Sequence, residues 1–147
     1  MFKNDNSKAT GKLTVEIKND KGVVIETREV KNLVVDDGLE YIASRMKDTS
    51  ATAMSHMAIG TGSTAAAAGN TALGTEAARQ ALTSTTVTAN AVAYVASFGA
   101  GTGTGAITEA GILNANSGGT LLCRTVFSVV NKGASDSMTI TWTVTIS

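Results

Sequence analysis

The chain has 147 residues, of which 43% are hydrophobic and 16% charged, so it can bury one core and does not have the composition of a disordered protein. Equal numbers of basic and acidic residues, 12 of each, remove the attraction that supplies most affinity for nucleic acids or acidic membranes. A single cysteine, Cys123, and a single histidine, His56, exclude an internal disulfide and a Cys/His metal cluster.

The charges are concentrated near the amino terminus. Beyond residue 48 only three basic and three acidic residues remain: Arg79, Arg124, Lys132, Glu76, Glu109 and Asp136. Soluble monomers usually carry interspersed surface charges. We therefore expect one domain over residues 1–147, with a charged hairpin or arm in 1–35 and a charge-poor β-sandwich in 36–147 that neighbouring subunits cover.

Apolar stretches all fall short of the about 18 residues that a membrane-spanning helix needs. The amino-terminal residues 1–12 are polar and charged and lack the apolar centre of a signal peptide. We expect a protein that is made and kept inside a cell or an assembly.

The first predicted element is a β-hairpin. Leu13, Val15 and Ile17 alternate with polar residues over 12–18, turn-forming residues occupy 19–22, and a second β-rich run covers 23–30. The charged residues of this hairpin are predicted to lie on its outer face.

A short helix is predicted next, over residues 37–48. Asp36 and Asp37 offer an N-cap, and the apolar residues at spacings of three and four are Leu39, Ile42, Ala43 and Met46. Glu40, Arg45 and Lys47 are expected on the solvent side.

From residue 54 onward, short strands alternate with loops of small residues. The runs 57–59, 78–88, 92–98, 107–113 and 121–130 are predicted strands. Two glycine-rich loops, 60–70 and 99–105, are too long for tight turns, so we take Gly60, Gly62, Gly101 and Gly103 as candidate contact positions.

The last strand has the clearest alternation. Its apolar residues from Met138 to Ile146 alternate with Ser137 and four threonines, which predicts one buried face and one threonine face. The predicted core anchors are Trp142, Ile140, Val144, Phe127 and Phe98. Seven or eight strands with one helix predict a mainly β fold, a β-sandwich or jelly-roll-like domain.

Neither glycine-rich loop fits a cofactor site. Both match a loose Gly-x-Gly pattern, but neither has the βα context of a dinucleotide site or the Gly-Lys-Ser/Thr of a P-loop. A nucleophile elbow is missing, and His56 would be the only base, while Cys123 is expected to be a core residue. We expect no enzyme activity, cofactor or metal, and a hydrolase is the most distant alternative.

Glu109 is the most unusual charged residue because it lies in a neutral, apolar strand. A buried carboxylate is costly unless it is paired. Arg79 and Arg124 are the candidate partners, in a structural or inter-subunit ion pair.

Five segments together carry a family resemblance. They are residues 32–43 (NLVVDDGLEYIA), 57–64 (MAIGTGST), 70–76 (NTALGTE), 107–114 (ITEAGILN) and 131–144, which ends in TITWTV. In this order they resemble small virion proteins of tailed bacteriophages, over residues 31–147. Leu113 stands where that group often has phenylalanine.

The resemblance implies a non-enzymatic structural protein of the virion. Similar modules occur in tail fibres, baseplates and head decorations. Because the chain ends directly after its last strand, without a fibre shaft, we favour a capsid cement or decoration protein. This would be a homotrimer at local threefold positions that binds the major capsid protein on the virion surface. A tail-fibre, baseplate or other tail-appendage component is the alternative.

Overall fold

The computed structural model describes residues 8–47 and 51–147, which form one curled antiparallel sheet with a single helix. The mainly β class is confirmed. The elements in chain order are β1 (Ala9–Lys18), β2 (Val24–Val34), α1 (Asp36–Arg45), β3 (His56–Gly60), β4 (Glu76–Ala81), β5 (Ser84–Thr88), β6 (Ala91–Phe98), β7 (Gly105–Leu113), β8 (Leu121–Lys132) and β9 (Ser137–Ile146).

The sheet folds into two halves. Its strand order is β4-β3-β7-β8-β2-β1-β9-β6-β5, and the halves are joined through β2. Most of β2 pairs with β1, whereas its last residues, Leu33 and Val34, pair with β8. The first half contains β5, β6, β9, β1 and β2, and the second contains β4, β3, β7 and β8.

The two edge strands, β4 and β5, are nearly one continuous strand. Only Leu82 and Thr83 separate them, and these residues donate backbone hydrogen bonds to Ser55 O (2.9 Å) and Val95 O (2.7 Å). The chain therefore passes from one half of the sheet to the other at this corner. The prediction of a single strand over 78–88 was wrong because the corner interrupts it.

The main core lies between the two halves. Leu13, Met138 and Ala96 come from the first half, and Met57 and Ile107 come from the second. All five predicted anchors are buried: Trp142, Ile140 and Phe98 are 0% exposed, Val144 5% and Phe127 9%. Cys123 is fully buried in the same core.

A smaller apolar cluster occupies the opposite face of the second half. It consists of Val35, Ala58, Leu73, Leu113 and Leu121. Leu73 belongs to the long connection between β3 and β4, so this connection packs against the outside of the sheet.

The amino-terminal hairpin forms as predicted, with a turn at Asn19. The Asn19 side chain accepts hydrogen bonds from the backbone N–H groups of Lys21 and Val23, and Gly22 has a φ of 75°. The pairing of β1 with β9 and of β2 with β8 places this charged hairpin in the middle of the sheet.

The helix is shorter than predicted, and the predictions of its N-cap and of its buried face were wrong. Val35 is the N-cap residue, and no side chain caps the helix. Gly38 is the buried residue of α1, and a Cβ there would overlap the carbonyl oxygen of Leu122. This close approach turns Tyr41 and Ile42 toward the core.

The remaining residues of the predicted apolar stripe face solvent: Leu39 is 46% exposed, Met46 is 82% exposed and Ala43 is exposed. Glu40, Arg45 and Lys47 are exposed as predicted, and residue 48 lies outside the described residues.

Candidate functional site

The candidate site is the long connection between β3 and β4, residues 61–75, which we call the anchored loop. Glu109 on β7 and Arg124 on β8 lie beneath it. Their strands are neighbours, and the register pairs Gly111 with Arg124, so the two side chains point to the same face of the sheet. Both are buried, with exposures of 0% for Glu109 and 2% for Arg124.

The Glu109 carboxylate binds backbone N–H groups at both ends of the anchored loop. Its Oε2 atom accepts hydrogen bonds from the N–H groups of Gly62 and Thr75, and its Oε1 atom accepts one from Gly74, each at 2.7 Å. One side chain therefore joins the start of the loop to its end.

The Arg124 guanidinium holds the middle of the same loop. Its Nε and Nη2 atoms lie 3.1 and 3.0 Å from Glu109 Oε1. Its Nη1 donates to Asn70 Oδ1 and its Nη2 to Thr64 O, each at 3.0 Å. The two buried charges therefore neutralise each other, and the same two side chains form hydrogen bonds with polar groups of the loop.

Burial and the surrounding donors shift the pKa of the Glu109 carboxyl in opposite directions. Burial alone would raise the pKa of its carboxyl, but the N–H groups of Thr75 and Gly74, the Arg124 guanidinium and the N–H of Gly62 together lower it below the ordinary value. The carboxylate is therefore ionised at neutral pH. Because its oxygens are occupied by these donors, it serves as an anchor for the loop and is poorly placed to act as a base.

Two of the candidate contact glycines are required by this anchor. A Cβ at Gly62 would overlap the Glu109 carboxylate, and a Cβ at Gly60 would overlap Thr75 O. Thr108 adds a further bond, from its Oγ1 to Gly62 O at 2.7 Å. The glycines allow the loop to lie close against β7.

Arg79, the other candidate partner of Glu109, lies elsewhere. It makes a two-point ion pair with Glu76, at 2.6 and 2.9 Å, and donates to the carbonyl oxygens of Ala115 and Gly118. Strand order distinguishes the two arginines, because β8 is next to β7 whereas β3 separates β4 from β7.

The second glycine-rich loop, 99–105, is also held by a buried charge. Lys132 is 1% exposed and donates from Nζ to Gly99 O at 2.8 Å. Burial lowers its pKa, and the nearby Asp136 carboxylate partly opposes this shift. Gly101 and Gly103 have positive φ angles of 80° and 67°, so glycine suits both positions.

Lys132, Asn70, Gly74 and Thr75 also hold these loops in place, and the sequence pattern did not indicate them. The signal that could have indicated Lys132 is the one that indicated Glu109: an isolated charge in a neutral, strand-forming segment. The loop amides give no such signal, because every residue has them.

No group of three or more His, Cys, Asp or Glu side chains in residues 8–47 and 51–147 could hold a metal ion. The helix found in these ranges is too short and polar to cross a membrane. His56 Nδ1 lies 2.8 Å from Ser55 Oγ at the start of β3.

Comparisons with known proteins give no assignment: no family model, curated protein or solved structure matches this chain.

Proposed function

We propose that this chain is a structural, non-enzymatic subunit of a tailed-bacteriophage virion: a capsid cement or decoration protein that binds the assembled shell and stabilises it. The resemblance of residues 31–147 to small virion proteins suggests this role. The distribution of charge over the folded surface is the observation that carries it.

The outer face of β9, β6 and β5 has no charged residue along the full length of these three described strands. The register aligns its small and hydroxyl side chains in rows: Ser137, Thr139, Thr141, Thr143 and Thr145 on β9, Ala91, Ala93, Val95 and Ser97 on β6, and Ser84, Thr86 and Thr88 on β5. Strand spacings of about 4.8 Å make this a broad, regular surface.

The same side of the sheet becomes charged at β1 and β2. Lys12 and Lys31 face each other across these strands, and Lys12 pairs with Glu29 at 2.8 Å. Surfaces of free monomers usually intersperse charges of both signs. We expect this division in a subunit that packs against its neighbours through the neutral part of this face and exposes the charged part to solvent.

The anchored loop adds a second neutral surface, and its exposed residues include Ser63, Thr64, Ala65 and Ala67. Because Glu109 and Arg124 fix the loop from beneath, it would lose little conformational freedom on binding. A pre-ordered loop binds more tightly for the same contact area.

Cementing follows from mass action. A subunit that binds the assembled shell and not its separated parts stabilises the shell by its binding free energy, and contacts with several shell proteins add multivalently. Neutral contact surfaces should make this binding nearly independent of salt, whereas contacts through the lysines of β1 and β2 would weaken as salt screens them.

The test adds the purified protein to shells prepared from a phage lacking its gene. We expect it to sediment with the shells and to raise the temperature at which they release DNA. Unchanged release temperature at saturating protein would overturn the proposal. Lys12→Gln serves as a control because it changes the charged surface and should leave binding intact.

A further inference from the structure

An apolar groove opens between α1 and the edge strand β5. It has a volume of about 330 Å³, and its walls include Tyr41, Ile42, Met54, Val87, Tyr94 and Ile146. Tyr94 and Val144, another wall residue, belong to the main core, so the groove is an opening in the side of that core.

β5 presents an unprotected edge beside this groove. Among the described residues it pairs only with β6, and all five of its own residues are exposed. It contains no charge, proline or bulge, the features by which proteins normally block edge strands. The opposite edge, β4, carries the Glu76–Arg79 pair and begins at a bulge in its pairing with β3.

The alternation of β5 directs two side chains into the groove. Thr85 pairs with Tyr94 and Val87 with Val92, and all four residues line the groove. Val87 nevertheless remains 71% exposed. A strand face that points toward the core is therefore uncovered along β5.

Arg45 is the only charged residue among the described groove walls. Its guanidinium lies 6.0 Å from the ring centre of Tyr41 and donates to Ala51 O at 3.1 Å, which keeps the charge at the groove mouth. A matching partner would be apolar along the groove and acidic at this end.

We propose that β5 and this groove bind an extended segment of the major shell protein, which adds to the sheet as a tenth strand. Its alternate apolar side chains fill the groove beside Val87, and an acidic residue faces Arg45. Strand addition supplies backbone hydrogen bonds, and the groove supplies selectivity for side chains.

A second copy of the chain fits the groove and the edge of β5 less well than an extended peptide does. A folded dimer needs an interface of about 1,200 Å² or more, and an edge of five residues is short for that. An extended peptide needs only the edge and the groove.

This inference rests on the proposed function, and two variants separate their outcomes. Val87→Asp places a charge on the groove face of β5, whereas Val24→Asp makes the same substitution at an exposed position of β2 in the charged hairpin. Both positions are exposed, so thermal melts should show both variants folded. The probes are intact shells and overlapping peptides that span the sequence of the shell protein.

We expect one peptide with alternating apolar residues to bind the wild type. Val87→Asp should weaken that peptide and the shells by at least about tenfold, because the carboxylate would be buried without a partner. Val24→Asp should stay within about threefold of the wild type.

Equal binding by the wild type and Val87→Asp, or equal weakening by the two variants, would overturn the inference. Shell binding without any peptide binding would also overturn it and leave the proposed function standing. A wild-type protein that binds neither would overturn the proposed function itself.

Discussion

Replacement of Glu109 by glutamine should strongly destabilise the protein, because it changes a buried carboxylate that accepts hydrogen bonds from three loop amides and from Arg124. The glutamine keeps one oxygen, so in either orientation its amide nitrogen faces donors: Gly74 and Arg124 on one side, or Gly62 and Thr75 on the other. At least two charge-assisted hydrogen bonds are lost, and Arg124 keeps a buried charge without its partner. Removal of one member of a buried pair costs about 3–5 kcal/mol, and we expect Glu109→Gln to fall in that range.

Urea unfolding followed by fluorescence of Trp142 measures this loss as a change in the free energy of unfolding. The control is Glu76→Gln, which makes the same chemical change in the more exposed pair with Arg79 and should cost about 1 kcal/mol or less. If Glu109→Gln cost less than about 1 kcal/mol, or no more than the control, the buried pair would not anchor the loop.

Three further predictions concern the core, the loop and acid stability. Trp142→Ala should lose roughly 3–5 kcal/mol because it empties a fully buried site, and an unchanged melting temperature would refute this. Gly62→Ala should lower the free energy of unfolding by about 1–3 kcal/mol, because the new Cβ would overlap Glu109. In the control Gly69→Ala the Cβ would enter open space in the same loop, so stability should change by less than about 1 kcal/mol. Similar losses in both variants would contradict the role of Gly62. Because folding lowers the pKa of Glu109, the contribution of Glu109 to stability is fully present above the unfolded-state pKa and is lost as the pH falls through the folded-state pKa. Urea titrations from neutral to acid pH should show this loss in the wild type and a flatter dependence of stability on pH in Glu109→Gln. Parallel pH profiles for the two proteins would contradict the prediction.

Strands with clear alternation were predictable from the sequence. β9 and the β1–β2 hairpin follow from side-chain period and turn residues, because each depends on local chemistry. The division between β4 and β5 was not predictable, since residues 78–88 keep their β-forming character across the corner. The chain bends there because Leu82 and Thr83 form backbone hydrogen bonds with two different segments that are distant in the sequence.

The helix illustrates a second limit. Its existence follows from the spacing of apolar residues, but its buried side depends on the approach of Gly38 to the backbone of Leu122. An absent side chain gives no hydrophobic signal, so the sequence pattern favoured Leu39 and Met46, which are exposed.

The candidate site was predictable in part. An isolated carboxylate in an apolar strand indicates burial and a cationic partner, which identified Glu109 and limited the partner to two arginines. Strand order decides between those arginines, and the contacts of Glu109 with the loop come from backbone amides. Both depend on the folded arrangement of segments that lie far apart in the sequence.

Quantitative mass spectrometry of purified virions shows directly whether this chain is a decoration protein of the head. The measurement compares the number of copies of this chain with the number of copies of the major capsid protein in the same particles. We predict a copy number of the same order as that of the shell protein, as expected for a decoration protein. A handful of copies per particle would instead indicate a tail component, and absence from the virion would contradict the structural role altogether.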